Sequence, residues 1–425
     1  MTTSTTALPD SAGPPHSVRQ GEALRDRAIG LARRCAPALA VYGVLKLIGF
    51  AVFMALVNDS GAYKAEAPKF DAGSHFWNVL EFWDGGWYKK VALYGYHLDP
   101  LPAHYVTGAP LPQNSAAFFP LYPWMMRLVC DLTGLGVFGA GVLVSVVSAF
   151  VAAAGIYAVT ALVGGHRAGL VAAAIWAVFP GSGVEWAVYS DAIFVALAAW
   201  TGYCLMTRRW VAAGLFALIA GLSRPTSVAI IAGVCLTALL ALVRRGEDGR
   251  RAPEGVARPL FAMLVAPVGL AGYLLWVGLG MGSPTGYFAL ERGAWNHYFD
   301  YGQHTWDVLS GVAMGKFDYV YAFPVEDTIG VAVVLMLPIL LAALLQLRPP
   351  PWMVVYTLLT IVSALGSMQI FGNVSRYLLP AFPLFVAPAV GMRALSRPVL
   401  VVTFLTLAVA SGWYAGFVLF ELGIP

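Results

Sequence analysis

The sequence predicts an all-α, polytopic membrane protein of about 11 helical spans, on three observations. Of its 425 residues 59% are hydrophobic and 11% charged, with a mean hydropathy of +0.73, which excludes an ordinary soluble globular domain. Its apolar runs repeatedly reach the roughly 20 residues that one crossing needs, and lipid offers backbone groups no partners, so helix is the default spanning form. The basic residues fall in alternate loops, as they do when one side of a bilayer retains them. A net charge of +4, with no basic tract interleaved with aromatics, gives no reason to expect a nucleic-acid partner. Cys35, Cys130, Cys204 and Cys235 lie in or beside apolar runs without CxxC spacing or a His partner. They are expected to be small packed side chains.

Residues 1–30 are rich in Ser, Thr, Pro, Gly and charge and read as a disordered cytosolic tail before a membrane domain over 31–425. The apolar run that follows is too far in and too long for a cleaved signal. Arg25, Arg27, Arg33 and Arg34 precede the first span, 36–57, and place its start in the cytoplasm. Lys46 within that span is expected to snorkel or pair, in a structural role. A polar first outer loop, 58–135, follows. Its stretch 116–131 is apolar enough for a span but holds two prolines, an Arg and interfacial aromatics, and so reads as a helix lying in the interface.

Charge decides whether 116–131 crosses. If it does not, later spans fall near 136–162, 168–181, 191–206, 209–222, 225–243, 259–281, 328–347, 352–367, 377–394 and 398–419. Then 16 of the 26 lysines and arginines are cytoplasmic, nine are outside and Lys46 is in a span. A crossing there would move 11 of those 16 outside, against the positive-inside rule. The non-crossing topology wins, with a second large outer loop at 282–327.

Under this topology 16 of the 22 acidic residues face the outer side. The stretch EFWDGGWY (81–88) puts Glu81 and Asp84 into an aromatic and Gly-rich segment just beyond the first span, where a half-shielded carboxylate can act as a base. The same eight residues also fit an aromatic interface anchor with solvated acids. Further polar clusters share that side: Tyr189-Ser190-Asp191, Ser223-Arg224-Pro225-Thr226, the loop residues Glu291, Trp295, His297 and Asp300, and Ser375-Arg376-Tyr377. Singly, each is explained by a cap, a Pro-induced helix break or a snorkelling Arg. Together, acids and arginines in one compartment are what phosphate-ester chemistry requires: a base for the nucleophile and cations for the leaving phosphate.

WDGGWY (83–88) followed by Gly95-Tyr96, AFFPLYP (117–123), YSDAIF (189–194), SRPT (223–226) and SRYLLPAFP (375–383) occur in that order. As a set they resemble the bacterial branch of the PIG-V-like mannosyltransferases, within the GT-C class of membrane glycosyltransferases. YFALERGAW (287–295) is similar to that family's YFxxQxxxW pattern. The resemblance runs from about residue 40 to 390. Two departures bear on sugar or acceptor preference: Glu291 stands in place of Gln, and Asp191 where Glu is commoner.

The resemblance implies a GT-C fold whose first outer loop carries interfacial helices and a catalytic Asp. It implies a polyprenyl-phosphate sugar donor, with mannose as the sugar, and inverting transfer to a glycolipid, glycan or protein acceptor on the outer face of the plasma membrane. It implies no nucleotide, consistent with the lack of a strand–GxGxxG–helix unit. On this view Asp84 accepts the proton of the acceptor hydroxyl. Arg224 and Arg376 bind the phosphate, with Lys89 a weaker candidate. Glu81 or Asp191 orients the sugar or acceptor or raises the pKa of Asp84. Tyr122, Trp87, Tyr189 and Trp295 are candidates for stacking on sugar or lining a prenyl groove, with interface anchoring the competing role. Tyr377 and Glu291 complete the candidate substrate-binding set. No cofactor is expected, and no metal, because His/Cys ligand spacing is lacking. The alternative is a polytopic lipid or solute transporter, or flippase. That class predicts charges near the bilayer midplane and an internal repeat, whereas the charges here gather at one surface and no repeat is present. A non-catalytic scaffold predicts that the outer acids and arginines tolerate substitution.

Overall fold

Prolines and short polar clusters divide an otherwise continuous apolar chain into helices of unequal length. The computed structural model describes residues 16–61, 63–243, 255–316 and 324–416. The tail 1–15, the basic loop 244–254, part of the second outer loop (317–323) and the end of the last expected span lie outside the described residues. The chain divides into two units, Met1–Pro37 and Ala38–Pro425. In the first, a helix starts at His16, within the segment that the composition reads as a tail. Glu22, Ala23, Leu24, Arg25 and Ala28 are good helix formers and no Pro or Gly interrupts them before Gly30.

Among the described residues six helices are long and apolar enough to cross a membrane: Ile29–Ser60, Val137–Gly164, Pro225–Val243, Ala257–Gly280, Val325–Gln346 and Arg397–Tyr414. A bent pair, Phe371–Leu378 with Phe382–Met392 at 74°, makes a seventh if counted as one span. Four shorter apolar helices, His166–Val178, Asp191–Met206, Trp210–Gly221 and Pro351–Leu365, lie where the sequence predicts spans. Their shortness has a local cause. Polar segments that carry Asp191, Arg224 and the Ser367–Asn373 turn cut into each helix at one end, and such backbone is tolerated at depth only where protein surrounds it.

Leu121–Thr133 is a helix of 13 residues with the exposed pair Arg127–Asp131, 3.3 Å apart. At 1.5 Å per residue it extends roughly 20 Å.

The core lies among the Val137–Gly164, His166–Val178, Asp191–Met206 and Val386–Met392 helices, and its wall is largely alanine. Small residues let helix backbones approach closely where no water drives association. Gly269 is the tightest case among the described glycines: a Cβ there would stand 2.0 Å from the carbonyl oxygen of Leu218. The loop segments 58–135 and 281–316 are joined by backbone hydrogen bonds. Leu101 and Leu111 donate backbone hydrogen bonds to Met281 and Gly293, at 3.0 and 3.1 Å. A two-residue antiparallel ladder, Tyr298–Phe299 against Ser367–Met368, is the sole sheet among the described residues.

Candidate active site

Asp84 opens the helix Asp84–Tyr94, in the first turn, where unpaired amides and the helix dipole favour a carboxylate. The chain enters through Trp83 at φ 58°, ψ −115°, a conformation that costs a bulky residue about 1–3 kcal/mol. Two hydrogen bonds hold that entry from the next loop: the Val188 amide donates to Leu80 O at 2.8 Å and the Tyr189 hydroxyl to Phe82 O at 3.0 Å. Gly85 keeps the approach close, because a Cβ there would meet Val188 at 3.3 Å.

Three further breaks bring their charges to the same place. Asp191 begins its helix with its side chain fully buried. Arg224 is extended, φ −161°, as the residue before Pro225 requires. Arg376 sits on the short helix Val374–Leu378, just before Pro380 and the 74° bend. Arg224 grips Asp191 with two parallel hydrogen bonds of 2.8 Å and donates from Nε to Ser190 Oγ at 3.0 Å. Arg376 Nη2 reaches Asp191 Oδ2 at 3.2 Å and is also paired with Asp84 Oδ2, and its guanidinium lies 4.4 Å over the Tyr189 ring. The result is a chain of alternating charge: Asp84, Arg376, Asp191, Arg224. Asp84 is 29% exposed and Asp191 0%, so only the first carboxylate is within reach of a substrate.

Tyr88 donates to Ser190 Oγ at 2.7 Å, and burial pushes its phenol up to about 12, so it remains a neutral donor at pH 7. Tyr377, half-buried, directly follows Arg376 on the same short helix. Trp295, from the Gly286–Trp295 helix, meets Trp87 and Phe118 edge-on at 5.4 and 5.6 Å, and Trp87 stacks flat on Phe118. This half-buried aromatic group joins the second outer loop to the Asp84 helix.

The other predicted residues, Tyr189 beneath Arg376 excepted, lie apart from that charge chain. Glu81 is buried and paired with Lys89 at 3.5 Å, while Lys89 also donates to Asp71 O at 3.0 Å. Tyr122 is fully buried, bonded to Gly141 O and Ser145 Oγ, and Tyr189 is fully buried beneath Arg376. Neither presents a ring face to a substrate in this arrangement. Glu291 holds His297 at 3.1 Å, just past the end of the Trp295 helix. Two contributors escaped the sequence reading: Ser190 and Tyr88, both inside the quoted motifs but marked there only by position. Among the described residues no cluster of three His, Cys, Asp or Glu side chains is placed to hold a metal ion.

Burial works against the His297 charge, but the Glu291 hydrogen bond and carboxylate outweigh it and raise the His297 pKa above the ordinary histidine value. A folded pKa above the unfolded one stabilises below the unfolded value, and that gain disappears as pH rises through the folded value. Between roughly pH 6 and pH 8 the wild-type unfolding temperature should therefore fall more than that of His297→Asn. An equal fall in both would remove the pair from this role.

No protein-family model matches the chain, and no curated protein matches it in sequence. Its structure is similar to that of ArnT from Cupriavidus metallidurans bound to undecaprenyl phosphate, with a TM-score of 0.50, 14% identity, and 92% of this chain and 77% of that one covered. The chain has the GT-C fold. The apo state of the same ArnT gives a TM-score of 0.44 at 16% identity, covering 82% of this chain and 76% of that one. The apo oligosaccharyltransferase of Archaeoglobus fulgidus gives 0.45 at 13%, covering 89% and 56%. The GT-C assignment does not depend on these two.

Proposed function

We propose that the protein is an inverting glycosyltransferase that moves a sugar from a polyprenyl-phosphate donor to an acceptor hydroxyl on the extracytoplasmic face of the plasma membrane. The observation that carries this is the pairing of a reachable carboxylate, Asp84, with two arginines held side by side on the buried Asp191. Asp84 takes the proton of the acceptor hydroxyl as its oxygen attacks the anomeric carbon. The bond from that carbon to the phosphate oxygen breaks, its electron pair stays on the phosphate, and Arg376 and Arg224 stabilise the departing charge. With two guanidinium groups supplying positive charge, the step is written without a resident metal.

A second feature supports a lipid-linked donor. An apolar groove of about 330 Å³, lined by Phe179, Pro180, Ile329, Val333, Leu378 and Phe385, opens beside the charged group. Pro180 adjoins Gly181, whose missing Cβ would stand 2.7 Å from the Arg376 amide, and Leu378 lies two residues beyond Arg376. A prenyl chain in that groove would bring its phosphate toward Arg376. Mannose, and a place in the PIG-V-like branch, rest on the motif resemblance. The acceptor is a glycolipid, glycan or protein.

The test supplies purified protein with polyprenyl-phosphate mannose, no nucleotide sugar, and membrane extract as acceptor source. Consumption of donor with a labelled product supports the proposal, and the product identifies the acceptor. No consumption of mannose or glucose donors, with no donor binding, would favour a transporter.

A further inference from the structure

Lys46 and Glu185 are buried charges that the proposed chemistry does not use. Lys46 lies well inside the first spanning helix, and its Nζ donates to Ser182 O at 2.7 Å, stands 3.2 Å from Glu185 Oε2 and lies 4.2 Å over the Trp186 ring. Tyr42, one turn earlier, donates its hydroxyl to the same Glu185 oxygen. Ser182 Oγ bonds to Ala177 O at 3.0 Å and to Ser411 Oγ, on the last helix, at 3.2 Å. The turn Ser182–Glu185 is thus tied from below to the first and last spanning helices.

The same segment runs on, within six residues, into the active site. Val188 and Tyr189 hold Leu80 and Phe82, the residues that lead into Asp84. Ser190 receives Tyr88 and Arg224, and Asp191 carries both arginines. The backbone of segment 182–191 therefore connects the hydrogen bonds and ion pair at Tyr42 and Lys46 to those that hold the approach to Asp84.

A buried ion pair is a poor means of stabilisation, since apolar residues of similar volume serve as well or better. What charged, hydrogen-bonded groups add is a single register, because Lys46 fits one carbonyl and one carboxylate and no neighbouring turn of the helix offers them. We infer that Tyr42, Lys46 and Glu185 are positioning residues, which set the height and rotation of segment 182–191 and through it the placing of Asp84 and Asp191. The kinetic part rests on the glycosyltransferase proposal; the structural part does not.

The test compares full-length wild type in lipid nanodiscs with Glu185→Gln, Lys46→Met, Lys46→Arg and the double variant Lys46→Met/Glu185→Leu. The double variant leaves no uncompensated charge, so it should fold and unfold near the wild-type temperature even where single variants do not. With polyprenyl-phosphate mannose as donor, its kcat should fall about tenfold to a hundredfold, with KM within about twofold, as expected for misplaced catalytic groups. Lys46→Arg should keep more activity than Lys46→Met. Amide hydrogen exchange over segments 80–88 and 184–191 should quicken in the double variant. A double variant with wild-type kcat and unchanged exchange overturns the inference, as does a loss of kcat that only tracks the folded fraction. Should the wild type turn over no donor, exchange alone decides: faster exchange upholds the positioning role while the enzymatic proposal falls, and unchanged exchange sinks the positioning role.

Discussion

Asp84→Asn should abolish transfer while the protein still folds and still binds donor. An asparagine carbonyl can accept the hydrogen bond from Arg376 that Asp84 now accepts, so the geometry has no reason to change. What is lost is the basic oxygen. Removing a positioned general base costs about 100- to 10,000-fold, and here the loss should fall on kcat with KM nearly constant. Asp84→Glu is the informative neighbour. It keeps a base but shifts it by one methylene, and its activity should lie between the other two. Rates measured with polyprenyl-phosphate mannose would decide, and Asp84→Asn activity within about tenfold of wild type would take the base role from Asp84. Asp191 could not then inherit it unchanged, because both of its oxygens are occupied by guanidinium groups and none of its side chain is exposed.

The places where the chain breaks were legible from the sequence, because proline and short polar clusters interrupt apolar runs for reasons that are local. Pro225 and Pro380 fix where Arg224 and Arg376 leave their helices, and the charge balance of the loops kept Leu121–Thr133 from being counted as a span. The motif resemblance pointed to Asp84 as the base, but the residue types alone did not divide the labour between the acids. Glu81, Asp84 and Asp191 are alike on paper, and only the fold shows that one is sealed against two arginines, one is turned toward Lys89 and one is open. Tyr122 and Tyr189 were stacking candidates because aromatics at a membrane surface are ambiguous, and the fold buries both with bonded hydroxyls. Lys46 and Glu185 carried a weaker sign, each being a charge in an apolar setting, but nothing in one dimension pairs them.

Asp191→Asn and Arg376→Met should fail in different ways, and the contrast tests the charge chain itself. Removing the Asp191 charge leaves Arg224 and Arg376, 13% and 4% exposed, side by side around a neutral amide. Two buried like charges then repel, and breaking such a network from its centre costs about 3–5 kcal/mol. Arg376→Met removes the other inner member, which joins Asp84 to Asp191, instead. Asp191 keeps its two-pronged contact with Arg224, and Asp84 is partly solvated, so the fold should lose much less. Its effect should fall on chemistry: without one of two cations at the leaving phosphate, transfer should slow by about 100- to 1,000-fold. Thermal unfolding in detergent and initial rates on the same preparations separate the two. If Arg376→Met unfolded earlier than Asp191→Asn, the arginine and not the aspartate would be the keystone, and Asp191 would have to be reassigned from holding the arginines to meeting the substrate.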